Sequence, residues 1–227
     1  MNHIDLSTVR LASGSHSEAA AKKGEACLLE WSAIFAGVPY SDHPECTSPV
    51  LGAFGRALND GLDDERRQKL VPFIPRLVGT AGDAEADRVR AWLATDWLVR
   101  TFTPTWLRKA GLTERADELV ALPELTSAAL AIAAMPIIEQ TRKDASAAWD
   151  AARDAAWAAA WDAARAAAKK AVASGEDAYG AAYQACVALF APTRDSLERS
   201  ALDLVDRMLA VTPESLTAEG SAERVGR

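Results

Sequence analysis

DASAAWDAARDAAWAAAWDAARAAAKKAVA, residues 144–173, holds neither glycine nor proline, and more than half of it is alanine. Alanine has the best intrinsic helix propensity of all residues, so this stretch predicts one long helix. Trp149, Arg153, Trp157 and Trp161 are spaced by fours. Each such step turns about 40° further round a helix, so the three tryptophans fall within an arc of roughly 120°. That is the width of a core-facing stripe. The segment AAWDAAR occurs at 147–153 and again at 159–165. An offset of twelve rotates the second copy by about 120°, so the two do not share a face and build no supercoil. Asp150 with Arg153, and Asp162 with Arg165, form i,i+3 pairs of about 0.2–0.5 kcal/mol each. Ser174-Gly175 reads as the stop. The stripe is readable as a packed core or as a ligand surface formed by Trp149, Arg153, Trp157 and Trp161.

Outward from that run, the remaining segments also read as helices. Ser17 to Ala36 carries Leu28, Trp31 and Phe35 at helical spacing, with Gly24 as a point where it can split. Ser48-Pro49 reads as the N-cap and first residue of a second helix. A third begins at Asp63 or Asp64 and meets Pro72 and Pro75, which predict a kink or break. Asp83 caps a fourth that carries Val89, Trp92, Leu93 and Trp97. Shorter helices follow Pro104 and Thr113, and Pro136 predicts a bend in the next. Beyond the alanine run, Pro192 is expected to separate a helix over 176–191 from a last one over 193–211. Alternating β-branched runs and Asn-Gly hairpin signals are missing. The expected fold is all-α, a multi-helix bundle of about eight to ten helices. Residues 1–16 and 212–227 read as flexible ends around a single helical domain, 17–211, with a soft division near 122–123.

The chain has 227 residues, a net charge of −7 and 49% hydrophobic residues. It is long enough for a sizeable core. The acidic balance argues against a general nucleic-acid binder, which needs a basic face. No stretch of 18 uncharged apolar residues exists; the nearest, Leu125 to Ile138, is too short to span a bilayer and contains Pro136. MNHIDLSTVRLASGSHSE has no hydrophobic core of a signal peptide, so a cytoplasmic protein is expected. Three cysteines, an odd number, fit reduced thiols there. The high alanine content and the preference for arginine over lysine suggest a bacterial genome rich in G and C.

One polar constellation stands out. Cys27 and Glu30 are i,i+3 on the first helix and so share a face. A loop folding back could bring Asp42, His43 and Cys46 towards it. Two thiolates, an imidazole and a carboxylate satisfy tetrahedral zinc, so Cys27, Asp42, His43 and Cys46 are candidate metal ligands. The spacing lacks the two close pairs usual in zinc motifs, and no cofactor is the simpler expectation. Cys46, three residues after His43 and just ahead of a helix N-terminus, is also a candidate thiol nucleophile, with His43 and Asp42 as its partners. The opposing reading is a helix-connecting loop with an unreactive thiol. His3 and His16 fall in the N-terminal segment and carry no specific expectation. P-loop, GxGxxG, GxSxG and HExxH motifs do not occur.

GEACLLEW (24–31), SDHPECTSPVLGAFGRALNDGL (41–62) and LVPFIPRLVGT (70–80) together resemble uncharacterised proteins of bacteria and their phages. The resemblance covers about a quarter of the chain and implies no activity. It draws attention to the loop around Asp42, His43 and Cys46.

Three functions remain open from sequence. The leading one is a non-catalytic helical binding module for a protein partner or a small apolar or aromatic ligand. The second is an enzyme or zinc-stapled site built on Cys27, Glu30, Asp42, His43 and Cys46. The third is a homo-oligomeric subunit whose Ala/Trp helix packs on its own copy.

Overall fold

The structure is a computed structural model that describes residues 4–146 and 178–217, with side chains for 4–146 and 193–217. Among the described residues every regular element is helical, and the one extended pairing is a parallel bridge between Leu11 and Ala26. The fold is all-α, as the sequence predicts. Beyond residue 146 the alanine run, with Trp149, Arg153, Trp157 and Trp161, lies outside the described residues. The chain folds as two compact units, Met1–Ala94 with Asp203–Arg227, and Thr95–Leu202.

The first unit begins with an extended N-terminal segment and α1 (Glu18–Ala21). The Ser17 hydroxyl caps α1 by accepting from the Ala20 N–H at 3.2 Å. Gly24, at φ +88°, ends that turn in a conformation that only glycine adopts readily. The expected helix over 17–36 is therefore two pieces, and α2 (Leu28–Ala36) starts after Cys27. Ser48 caps α3 (Pro49–Gly61) through the Leu51 N–H. A Cβ at Gly55 would stand 3.3 Å from the Leu28 and Leu29 methyls, so this glycine lets α3 lie close on α2.

Asp63 caps α4 (Asp64–Arg67). Pro72 then falls in a 3-10 segment (Gln68–Phe73), and Pro75 in the first turn of α5 (Ile74–Leu77). This is the interruption expected from two prolines lacking N–H donors. The core of this unit includes Leu29, Leu51, Leu70, Ile74, Leu77, Leu204 and Met208.

The N-terminal segment, from residue 4 on, lies against the helices through specific contacts. Val9 and Leu11 are buried. Gln68 grips Leu11 at both ends, its Oε1 accepting from the Leu11 N–H at 2.9 Å and its Nε2 donating to the Leu11 carbonyl at 3.1 Å. Asn59 Nδ2 donates to the Ala12 carbonyl, and Asp60 accepts from the Gly14 N–H. Long-range side-chain bonds order a stretch that has no local periodicity.

Asp83 opens α6 (Ala84–Trp97) by accepting from the Glu85 and Ala86 N–H groups. Arg90, 3% exposed, donates to the carbonyls of Thr80, Met208 and Val211 and to Asp87. It ties α6 to the end of α10 (Ala178–Ala210) within the first unit.

The second unit contains a π-helical turn (Leu98–Phe102), α7 (Thr103–Lys109), α8 (Thr113–Val120) and α9 (128–146). Its core gathers Leu107, Ala116, Leu119, Leu122, Leu125 and Ala134. Asp96 accepts from the Leu125 N–H at 2.8 Å and from Arg100, fixing the turn before α9.

Pro136 sits inside α9, and α10 continues across Pro192, where the sequence predicts a separation. A proline removes one helical hydrogen bond. In α10 the C-terminal half keeps its helix because Leu197, Ala201, Leu204, Val205 and Met208 are buried along it. No helix among the described residues is long and apolar enough to cross a membrane.

Candidate functional site

The site grows from one residue in an apolar run. Within CLLEWSAIF, Glu30 is fully buried in the first turn of α2. A carboxylate removed from water must find donors, and Glu30 finds them on both sides. Its Oε2 accepts from the Cys27 N–H at 2.7 Å. Its Oε1 accepts from the His16 N–H at 2.6 Å and from the Ser15 hydroxyl at 3.4 Å. The His16 Nδ1 lies 3.1 Å from Oε2. Cys27 and Glu30 thus stand as N-cap and third residue of α2, in a capping-box relation. Sequence reading placed the two on one helical face; Cys27 instead lies just outside the helix.

Around this carboxylate the electrostatics change. Burial, with the Glu30 charge adding to it, pushes the Cys27 thiol up to about 12. A thiol so held is protonated and a poor nucleophile. Tyr40 lies in the loop that follows the left-handed cap Gly37. Its hydroxyl oxygen is buried and has no hydrogen-bond partner. Burial first, and the Glu30 charge second, hold its pKa well above the usual phenol range. The Glu30 charge is thus felt at the Tyr40 hydroxyl.

Tyr40 also lines a cleft of about 560 Å³. Ala21, Trp31, Ile34, Val38 and Pro39 supply its apolar wall. The Trp31 N–H is engaged by the Arg10 carbonyl at 3.0 Å, so the indole offers the cleft ring surface, not a donor. Glu18 and Lys22 also line it and form an exposed i,i+4 ion pair at 3.4 Å. Ligand pockets are commonly of this size and this mostly apolar character.

The other sequence candidates fall elsewhere. Asp42 and His43 pair with each other at 2.9 Å, His43 being largely exposed. The His43 hydrogen bond holds the Asp42 carboxyl below its usual range. Arg56 donates to the Asp42 carbonyl and fixes the loop to α3. The Cys46 sulfur has Thr47 Oγ1 at 3.8 Å, and the Cys46 carbonyl accepts from the Gly79 N–H. Among the described residues no group of three His, Cys, Asp or Glu stands together as a metal site. The thiol–imidazole contact of a Cys46–His43 nucleophile is likewise not made, because His43 turns to Asp42.

Sequence reading missed His16, Ser15 and Tyr40. A signal for the first two existed: a glutamate inside an apolar helical run demands buried donors. Nothing local points to Tyr40. Comparison of the chain with protein-family models, with curated proteins and with solved structures gives no match. The class that fold and site define is an all-helical protein with an aromatic-walled cleft beside a buried carboxylate.

Proposed function

We propose that the protein is a non-catalytic binding module that takes a small apolar or aromatic ligand into this cleft. One observation carries the reading: a cleft of about 560 Å³ with Trp31 and Tyr40 in its wall and Ile34, Val38 and Pro39 beside them. An apolar wall with few polar groups favours a ligand that buries surface and is oriented by one or two hydrogen bonds. The groups that catalysis would call on are held back, Cys27 as a protonated thiol and His43 by Asp42. The net charge of −7 weighs against a nucleic-acid ligand.

The test is a titration of methyl-labelled protein with a panel of single-ring aromatic compounds. The Ile34, Val38 and Ala21 methyl resonances report from the wall of the cleft. Saturable shifts confined to them are the expected result. A panel that leaves all of them unmoved at millimolar concentration overturns the reading.

A further inference from the structure

The two sides of the cleft differ, and the difference narrows the class of ligand, an inference that rests on the cleft being a binding site. On one side Trp31 and Ile34, one turn apart on α2, stand with Val38 and Pro39 as an apolar wall. On the other, α1 contributes Glu18, Ala21 and Lys22, which share a face by their i,i+3 and i,i+4 spacing. The polar atoms of the wall's side chains are not on offer. The Trp31 N–H is taken by the Arg10 carbonyl, and the Tyr40 hydroxyl oxygen is buried. Recognition of a charged ligand group by side chains therefore falls to Glu18 and Lys22.

These two form an ion pair at 3.4 Å, with both side chains mostly in solvent. One such contact leaves capacity on each partner, since an ammonium has three N–H donors and a carboxylate about four lone-pair sites. The pair sums to zero charge. A lone cation is drawn to Glu18 and repelled by Lys22, and a lone anion meets the reverse, so neither gains much. A ligand that carries both charges gains at both ends: its ammonium meets Glu18, its carboxylate meets Lys22, and four charges alternate in sign. An α-amino acid bears both groups on one carbon, close enough together to meet a pair 3.4 Å apart.

We propose that the cleft takes a free α-amino acid with an apolar or aromatic side chain, its ammonium on Glu18 and its carboxylate on Lys22. The side chain lies against Trp31, Ile34, Val38 and Pro39, where an aromatic ring packs on the indole. The bulk of the affinity comes from that apolar burial, and the charge pair selects the head group.

The experiment compares L-phenylalanine with three analogues that lack one or both of its charges. Phenylethylammonium has no carboxylate, phenylpropionate no ammonium, and phenylethanol neither. Each is titrated at neutral pH into the wild-type chain, Lys22→Met and Glu18→Gln, and the Ile34 and Val38 methyl shifts are read. An exposed ion pair is worth about two- to five-fold in affinity. Phenylalanine is therefore expected to bind about three-fold tighter than either singly charged analogue, and those about as tightly as the alcohol. In Lys22→Met its advantage over phenylethylammonium should vanish, and in Glu18→Gln its advantage over phenylpropionate. Phenylethanol should bind all three chains alike, which shows that the substitutions leave the apolar wall intact. Equal affinities, or a singly charged analogue binding tightest, with the same methyls shifting, overturn the amino-acid assignment and leave the cleft standing as a binding site. An advantage that survives both substitutions overturns the part given to Glu18 and Lys22. If none of the four moves the methyls while other aromatic compounds do, the assignment falls. If nothing moves them, the cleft itself is not a site.

Discussion

Replacing Glu30 isolates what a buried carboxylate does for this fold. Its two oxygens satisfy the backbone N–H groups of Cys27 and His16, at 2.7 and 2.6 Å. In Glu30→Gln the side chain keeps its shape but only one acceptor oxygen. Whichever way the amide turns, one of those N–H groups faces a donor instead. An unsatisfied buried donor costs about 1–3 kcal/mol, so the glutamine variant should lose about that much. In Glu30→Ala both N–H groups are orphaned and a cavity is added, for a total of about 3–5 kcal/mol. Against a usual stability of about 5–15 kcal/mol, that is a large share. Urea unfolding followed by far-UV circular dichroism gives the ranking: wild type, then Gln, then Ala. Amide hydrogen exchange gives the location, since the Cys27 and His16 N–H groups should lose protection ahead of the amides of α2. An alanine variant within about 0.5 kcal/mol of wild type, with both amides still protected, refutes the argument.

Other perturbations have defined outcomes. Native maleimide labelling, mapped by peptide mass spectrometry, should modify the half-buried Cys46 well before the buried Cys27; rapid labelling of Cys27 contradicts its burial. The Cys27 thiol is raised from 9.0 to about 12 in the folded chain, so its contribution to stability is complete below 9 and is lost as pH rises towards 12. Cys27→Ala should accordingly flatten the alkaline fall in stability, read as urea midpoint against pH. His43→Ala should cost less than about 1 kcal/mol, as expected for an exposed pair. Because Asp42 is held below its usual range, the gap between His43→Ala and wild type should close on acidification; a collapse of the fold in this variant would point back to a metal-stapled loop. Arg90→Lys loses the fork that reaches the Thr80, Met208 and Val211 carbonyls. It should cost about 2–4 kcal/mol in thermal or urea unfolding, and a fully stable variant would show the fork to be dispensable.

Punctuation made much of the fold legible. Ser17, Ser48 with Pro49, Asp63 and Asp83 all stand where a side-chain oxygen can take an orphan N–H of a helix start. Gly24 and Pro72 interrupt where a local rule places the interruption. These effects act within a few residues, so a linear reading reaches them. Pro192 shows the limit. The same rule breaks the helix there, but α10 runs on because burial of its C-terminal half outweighs one missing hydrogen bond. The candidate site was legible in part. Glu30 and Cys27 were singled out together, but as one helical face and not as a cap. His16 was invisible because its bond to Glu30 spans fourteen positions, and the grip of Gln68 on Leu11 spans fifty-seven.

The buried glutamate and the N-terminal segment explain each other. An extended chain lying on helices has backbone donors and acceptors but no neighbouring strand, apart from the single bridge at Leu11 and Ala26. Buried N–H and C=O groups need partners all the same. Here helix side chains take the place of a strand: Gln68 serves Leu11, Asn59 serves Ala12, Asp60 serves Gly14 and Glu30 serves His16. An apolar residue at position 30 would pack as well but would leave the His16 N–H unmet, so the carboxylate belongs to the docking of this segment. Its position also sets the character of the cleft. The charge that holds His16 is felt at the Tyr40 hydroxyl, and the carbonyl of Arg10 in the same segment takes the Trp31 N–H. Anything that detaches the N-terminal segment should therefore alter both aromatic residues of the cleft. The variant Gln68→Ala tests this, because it loosens the segment at Leu11 without touching a residue of the cleft wall. Its Ile34 and Val38 methyls should shift in the absence of any ligand. Unmoved methyls in a Gln68→Ala chain with a mobile N-terminus would separate the segment from the cleft and leave Glu30 a purely structural cap.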